Sequence, residues 1–249
     1  MATASLTVLT RDQAGNQIWR DQLTACGISS YSLDCIIRSV AKVTPELTTI
    51  FRSLATCDWV IFTSAAGVTY FRQLCAALNV STKSLDSLRI ATVGNETANA
   101  AKKLGIQAAF IPVVQNAQTL ARDLPDVAGR RVVLMRSDIA FQDPIDILRE
   151  RAAIVTNVAV YRTSSVTSPD PEFSKLMQQE KIGCIVFASP SAVTGFFCRI
   201  QERTVVSRAL SLPVVASGPT TAASLTQHGF RKIRIAAHPT LTAIRSLLS

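Results

Sequence analysis

Hydroxyl side chains placed where an apolar run gives way to an amphipathic one are the first candidates for chemistry in this sequence. Trp59 to Phe71 reads WVIFTSAAGVTYF, and Cys184 to Phe196 reads CIVFASPSAVTGF. Each is a short apolar strand, a small polar turn and a helix opening, with Ser64 and Ser189 where a helix N-cap belongs. A serine there accepts a hydrogen bond from a first-turn N–H, and the N–H groups left over can hold an anion. Gly94-Asn95-Glu96-Thr97 and Gly218-Pro219-Thr220-Thr221 also sit between strand and helix. Their glycines let backbone come close to a ligand, and Thr97, Thr220 and Thr221 add hydroxyls near the helix start. Neither serine lies in Gly-x-Ser-x-Gly, so a serine-hydrolase triad is improbable. The glycine turns lack both the full Gly-x-Gly-x-x-Gly pattern and a Walker lysine, so nucleotide binding has little support. These are anion-friendly turns without a named anion.

The other reactive types say less. Tyr161 ends the apolar run Val158-Ala159-Val160 and reads alone either as a packing residue or as a proton donor. Arg11 and Arg136 end two further apolar runs, Val8-Leu9-Thr10-Arg11 and Val133-Leu134-Met135-Arg136. His228, just before Gly229 at a helix end, and His238, before Pro239, occupy structural positions. No close carboxylate pair and no histidine cluster is present, and the six cysteines are spread without a Cys-x-x-Cys pair. The expectation is therefore no metal and no disulfide framework, only reduced core thiols.

The elements that must carry these residues repeat themselves. Ser64 and Ser189 are 125 residues apart, as are the VLTR and VLMR runs, and Gly94 and Gly218 are 124 apart. Three weak matches in one register outweigh any one of them. Runs rich in Val and Ile at 6–10, 59–63, 89–93, 132–135, 154–160, 184–188, 213–217 and 233–237 alternate with helical stretches at 16–25, 66–78, 96–104, 144–151, 191–202 and 220–228. Gly27, Gly105 and Gly229 stand where helix C-caps would fall. This alternation predicts an α/β fold of mostly parallel sheets flanked by helices, with ligands at the carboxyl ends of the strands. Ser64, Thr97, Ser189 and Thr221 lie there.

Composition sets the outer bounds. Hydrophobic residues make up 48% and charged residues 17% of 249 positions, enough apolar surface for one large or two smaller cores. The longest apolar runs fall far short of the roughly 18 residues a bilayer span needs. Met1 to Ser5 show neither a basic stretch nor an apolar segment, which reads as a cytoplasmic chain. A net charge of +9 favours an acidic partner. The basic residues are scattered and aromatics are only 6%, so neither a nucleic-acid arm nor a base-stacking surface is expected.

Laid end to end, the motifs VLTR, VIFTSAAGV, ATVGNETA with KKLG, VAVYRT, IVFASPSAV, ASGPTTAASL with HGF, and HPTLTAI resemble the uroporphyrinogen-III synthase family along nearly the whole chain. The resemblance implies two similar α/β lobes joined by two extended linkers, with the active site in the cleft between them. Carried onto this chain, one lobe holds 1–36 plus 164–249 and the other 37–163. Combined with the internal offset, it predicts exchanged repeats, in which strands 6–10 and 184–188 share a sheet and 59–63 lies in the other.

It also implies a substrate, hydroxymethylbilane, a linear tetrapyrrole bearing acetate and propionate arms. The reaction would be a lyase closure to uroporphyrinogen III with ring D inverted and water lost, in haem biosynthesis, without cofactor or metal. Tyr161 corresponds to the family's tyrosine and is the expected catalytic residue. Ser64, Thr97, Ser189, Thr220 and Thr221 are the expected substrate contacts, joined by Arg11 and Arg136. A monomer is expected, making at most a transient contact with the preceding pathway enzyme, and no nucleic acid or membrane. The competing reading is a two-lobed protein that binds a small anion without chemistry.

Overall fold

Two sheets are assembled from strands that are not neighbours in the chain. The computed structural model describes residues 5–81 and 88–248, so residues 1–4 of the segment read for a leader lie outside it. The chain opens with β1 (Leu6–Leu9), α1 (Gln13–Thr24), β2 (Ser30–Ser32) and β3 (Ile36–Val40). It continues through α2 (Pro45–Arg52), a 3₁₀ turn (Leu54–Thr56), β4 (Trp59–Phe62), α3 (Ala65–Ala77), β5 (Arg89–Thr92), α4 (Asn95–Lys102) and α5 (Ala117–Asp123). Next come β6 (Arg131–Ser137), α6 (Asp143–Glu150) and the long β7 (Ile154–Ser165). The last stretch holds α7 (Pro171–Gln178), β8 (Ile182–Phe187), α8 (Pro190–Arg199), α9 (Arg203–Ser211), β9 (Val214–Ala216), α10 (Pro219–Gln227), β10 (Ile233–Ile235) and α11 (Leu241–Arg245).

Met1–Arg38 with Thr163–Ser249 form one compact unit, and Ser39–Arg162 form the other. Unit 1 carries the sheet β10-β9-β8-β1-β2, and unit 2 the sheet β5-β4-β6-β7-β3. Both passages between units occur inside β3 and β7. These two strands are antiparallel, since Ala41 N–H donates to the Val160 carbonyl and Val166 N–H to the Cys35 carbonyl. The expected exchange is present: β1 pairs with β8, while β4 lies in the other sheet beside β5 and β6.

The repeat holds at the level of backbone register. In unit 2 Val60 faces Val133 and Ile90, and in unit 1 Ile185 faces Val8 and Val214. Thr7 faces Ser30 as Val132 faces Val155. Each matched pair preserves the 125- or 124-residue interval of the sequence motifs.

Each sheet is covered on both faces, and so its central strands read as unbroken apolar runs rather than as alternations. In β4, Val60 and Phe62 join a core with Phe51, Phe71 and Met135, while Trp59 and Ile61 join Leu120, Leu134 and Leu148 on the opposite face. In unit 1 Phe173, Phe187, Phe196 and Phe230 pack on one face, and Leu9, Trp19, Leu23 and Val215 on the other. Burying one such side chain contributes about 1.5–3 kcal/mol.

Within unit 1, one side chain holds both segments that lead toward the other unit. Arg199, at the end of α8, donates to the Asp34 carbonyl (2.7 Å), the Ser168 carbonyl (3.0 Å) and Asp170 Oδ2 (3.0 Å). Asp170 Oδ1 accepts from the Tyr31 hydroxyl at 2.9 Å; burial first, and then that bond, push the Tyr31 phenol upward from its ordinary value.

Several elements differ from the sequence reading. β7 runs on to Ser165, so the polar stretch expected from Thr163 begins inside a strand, because β3 supplies its ladder. β2, β3, α2, α5, α7, α9 and α11 were not anticipated. The predicted glycine caps stand, with Gly27, Gly105 and Gly229 all at positive φ.

At Gly195, in the middle of α8, the Cys35 carbonyl oxygen fills the place of a Cβ. Gly195→Ala should therefore destabilise unit 1 by on the order of 2–3 kcal/mol through forced separation of α8 from that backbone. Urea unfolding followed by circular dichroism checks this, and an unchanged midpoint would show that the contact yields freely.

Candidate active site

Unit 2 places its serine turn against its tyrosine. β4 ends at Phe62, and Ser64, in extended backbone, caps α3 by accepting the Gly67 N–H at 3.0 Å. The same Ser64 Oγ lies 3.3 Å from the Tyr161 hydroxyl. Tyr161 is not at a strand end but within β7, at an irregularity that the sequence reading missed. Arg136 faces Ala159, yet Ser137 faces Tyr161, so Val160 is an inserted residue. A bulge of this kind turns two consecutive side chains toward one side, and both Val160 and Tyr161 enter the core beneath α3. Tyr161 is 7% exposed, and its ring stacks on Tyr70 of α3 at 5.1 Å between centroids and 22° between planes.

The second turn of unit 2 is already engaged. Gly94 caps α4 in extended backbone, and Gln115 Oε1 accepts the Asn95 N–H at 3.2 Å. A Cβ on Gly94 would meet that oxygen, at the end of a glutamine side chain, and the backbone there is extended, so no special φ calls for the glycine. Thr97 is buried in the first turn of α4. Gln115 was missed because a single glutamine 20 residues beyond Asn95 carries no local pattern.

Unit 1 repeats the arrangement with different outcomes. Ser189 caps α8 by accepting the Ala192 N–H at 3.2 Å and lies 2.9 Å from Ser191 Oγ. Gly218 caps α10 with open space around it. Ser217 Oγ donates to the Ala188 carbonyl (2.9 Å), so in its 3.3 Å contact with Thr221 the threonine is the donor. Thr221 is thereby buried and internally bonded, while Thr220 is exposed.

The arginines make protein contacts. Arg136 is only 3% exposed; its Nε donates to Asn157 Oδ1 at 2.7 Å and an NH group to the Phe141 carbonyl at 2.6 Å. Burial lowers its pKa from the usual guanidinium value. Arg11 lies over the Trp19 ring at 4.3 Å, and its backbone N–H and carbonyl are both bonded to the Asn16 amide. His228 Nδ1 donates to the Ser224 carbonyl at 2.8 Å and its ring stacks on Phe197, a structural role. All six cysteines are free thiols. Burial pushes Cys75 up to about 12 and Cys184 up to about 11, which makes both poor nucleophiles. Among the described residues no group of three or more His, Cys, Asp or Glu could hold a metal ion, and no helix is long and apolar enough to cross a membrane.

The class that fold and site define is a duplicated α/β protein, each unit carrying capped turns at the carboxyl ends of parallel strands and one unit a buried phenol against such a turn. The sequence model of uroporphyrinogen-III synthase HemD matches residues 22–245, and the chain belongs to that family. Its members are lyases of porphyrin biosynthesis. Among its relatives, the uroporphyrinogen-III synthase of Chlorobaculum parvum is 23% identical over 208 residues, covering 82% of this chain and 83% of that protein. That of Synechococcus elongatus is 26% identical over 222 residues, 86% of this chain and 83% of its own. The porphyrin biosynthesis protein HemD of Ruminiclostridium josui is 23% identical over 91% of this chain, which spans only 44% of that longer protein. Two solved structures share the fold: a mutant uroporphyrinogen III synthase of Thermus thermophilus (TM-score 0.65, 16% identity) and the uroporphyrinogen-III synthetase of Helicobacter pylori (TM-score 0.65, 18% identity). Each similarity covers 98% of this chain and 97% of the other.

The contacts of Arg136 predict a stabilising role. Arg136→Met should lower stability by about 1–3 kcal/mol, the range for lost charge-assisted hydrogen bonds, with little change in substrate affinity. An unchanged urea midpoint combined with weakened binding would instead make Arg136 a ligand for the substrate.

Proposed function

We propose that this chain closes hydroxymethylbilane to uroporphyrinogen III, inverting ring D and releasing water, with Tyr161 as proton donor. The observation that carries the reading is the Tyr161 phenol, buried and ring-stacked, 3.3 Å from Ser64 Oγ at the mouth of α3. Family membership supplies the reaction class.

The electron pair of the terminal pyrrole nitrogen expels the hydroxyl group, and the Tyr161 proton passes to the departing oxygen, giving water and an azafulvene cation. That cation is attacked by the substituted carbon of ring D, the resulting spiro centre rearranges, and the proton lost on closure returns to the tyrosine oxygen. Because the substrate supplies its own electronic drive, the protein's larger task is to orient the chain ends, an effect worth about 7–11 kcal/mol in good cases. The acetate and propionate arms suit a chain of net charge +9. Backbone N–H groups at the Ser64, Ser189 and Gly218 turns are suited to carboxylates, the last being open. Thr220, exposed beside that turn, can reach an arm directly. Thr97 and Thr221 shape their turns from inside. We further place the protein in the cytoplasm as a monomer that meets the preceding pathway enzyme only transiently; six free thiols support a reducing compartment.

Bilane left in water closes head to tail to the type I isomer, so product identity is the decisive measurement. With catalytic amounts of this protein and no added metal or cofactor, chromatography of the oxidised products should show type III formed faster than spontaneous closure. Type I alone would overturn the synthase reading in favour of simple anion binding.

Tyr161→Phe should fold normally and lose activity by about tenfold or more, as expected for one transition-state hydrogen bond. Thr97→Ala and Thr221→Ala should each cost less, since neither removes the N–H groups of its turn. Steady-state rates on freshly generated bilane decide it, and full activity of Tyr161→Phe would remove the phenol from the mechanism.

A further inference from the structure

We infer that Tyr70 is a positioning residue for Tyr161: its ring, stacked on that of Tyr161, holds the phenol oxygen where Ser64 can bond it. The inference rests on the reading of Tyr161 as proton donor and adds a residue outside the predicted site. Only three tyrosines occur in the chain, and two of them meet here. α3 provides both constraints on Tyr161, the cap hydroxyl of Ser64 at its start and the Tyr70 ring in its second turn.

The phenol oxygen lies at the far end of a ring that hinges at χ1, so a small swing of the ring displaces it considerably. Misplacement of a reacting group by about 1 Å can cost on the order of 100-fold in rate. A stacked neighbour at 5.1 Å restricts that swing from one side. Either hydroxyl can donate in the Ser64–Tyr161 contact, and the proposed chemistry uses the direction in which the serine donates. Ser64 Oγ accepts the Gly67 N–H and keeps its own hydrogen, which it can donate to the Tyr161 oxygen. The phenolic hydrogen is then left for the departing hydroxyl. When the phenol O–H bond breaks and its proton joins that oxygen as water, the negative oxygen left on Tyr161 is met by the Ser64 O–H.

Comparison of the two repeats shows that the stack is not a requirement of the fold. At the 125-residue interval, Ser64 corresponds to Ser189, but Tyr70 corresponds to Gly195 and Tyr161 to Ile36. Unit 1 keeps the capping serine and builds the same sheet register without either tyrosine. At Gly195 the neighbouring backbone of Cys35 occupies the room that a side chain would need. The tyrosine pair is thus particular to unit 2, where the phenol is.

A double-mutant cycle in the full-length protein tests this, with bilane turnover as the readout. Tyr70→Phe, which keeps the ring, should retain kcat within about twofold, whereas Tyr70→Leu should lower kcat about tenfold with KM within about twofold, the signature of an interaction used in the transition state. In the Tyr161→Phe protein, Tyr70→Leu should change kcat by less than about twofold, because residues acting as a unit are non-additive. If Tyr70→Leu folds poorly by circular dichroism, Tyr70→Met is read in the same cycle. An equal loss in both backgrounds, a rise in KM alone, or a loss in Tyr70→Phe matching that in Tyr70→Leu would overturn the positioning role. The single variant Tyr161→Phe reports separately on the donor itself, so failure of that reading is distinguishable from failure of this one.

Discussion

The pairing of β1 with β8 is the constraint on which the rest of the molecule depends. β1, α1 and β2 cannot bury both faces of a two-stranded ribbon by themselves, and such a ribbon is marginal in water. They are completed by strands from the far end of the chain, with Val8 and Leu9 against Ile185 and Val186 and the Thr10 hydroxyl donating to the Val186 carbonyl at 2.8 Å. Once the first segment is committed to the last, the middle of the chain must leave and return, and two strands have to make that passage. β3 and β7 do so as an antiparallel pair. The returning strand carries Tyr161, and its bulge at Val160 aims the phenol under α3. The position of the proposed donor thus follows from a pairing between strands remote from it in sequence.

Duplication gave two similar frames, and they carry different chemistry. The serine caps survive in both because each satisfies an N–H that would otherwise be orphaned at a helix start, typically about 1 kcal/mol. The glycine turns diverge: the one at Gly94 is filled by the Gln115 amide, while that at Gly218 stands open. Arg11 and Arg136, equivalent in the repeat, are held by different partners, one over an indole ring and the other against an asparagine side chain and a backbone carbonyl. Frame and reactivity are therefore separable, as is general for α/β folds.

Much of this frame is legible in the sequence because its signals are local. The apolar runs of β4 and β8, the serine caps and the glycines at positive φ each depend on a few adjacent residues. Two kinds stand out among the elements overlooked. α2 and α7 do carry local start signals, Thr44-Pro45-Glu46 and Asp170-Pro171-Glu172, and their N-cap side chains accept first-turn N–H groups. They lie in polar surroundings, where an alternation of apolar runs does not point to them. β2, β3 and the end of β7 are different, since Ser30-Tyr31-Ser32 or Arg162-Thr163-Ser164 becomes a strand only when a partner from elsewhere supplies the ladder. The same limit hides the site's finer geometry. Serine and tyrosine could each be singled out, but their 3.3 Å contact depends on an inserted residue in β7, and the Tyr70 stack on a helix face turned toward that insertion.

The distribution of charge bears on how such a site handles an acidic substrate. A net charge of +9 raises the local concentration of a polycarboxylate at long range, yet Arg136 is buried on protein partners and Arg199 is spent on holding the crossing segments. Fixed cations gripping every carboxylate would bind substrate and product alike, because cyclisation leaves all the acid arms in place. Uniform binding of that kind lowers KM without speeding the chemical step. Backbone N–H groups at helix starts hold carboxylates with less charge than an arginine and are already oriented by the fold. In the proposed mechanism the Tyr161 phenol, held by a serine and a second ring, acts on the departing hydroxyl, a group that the acid arms do not touch.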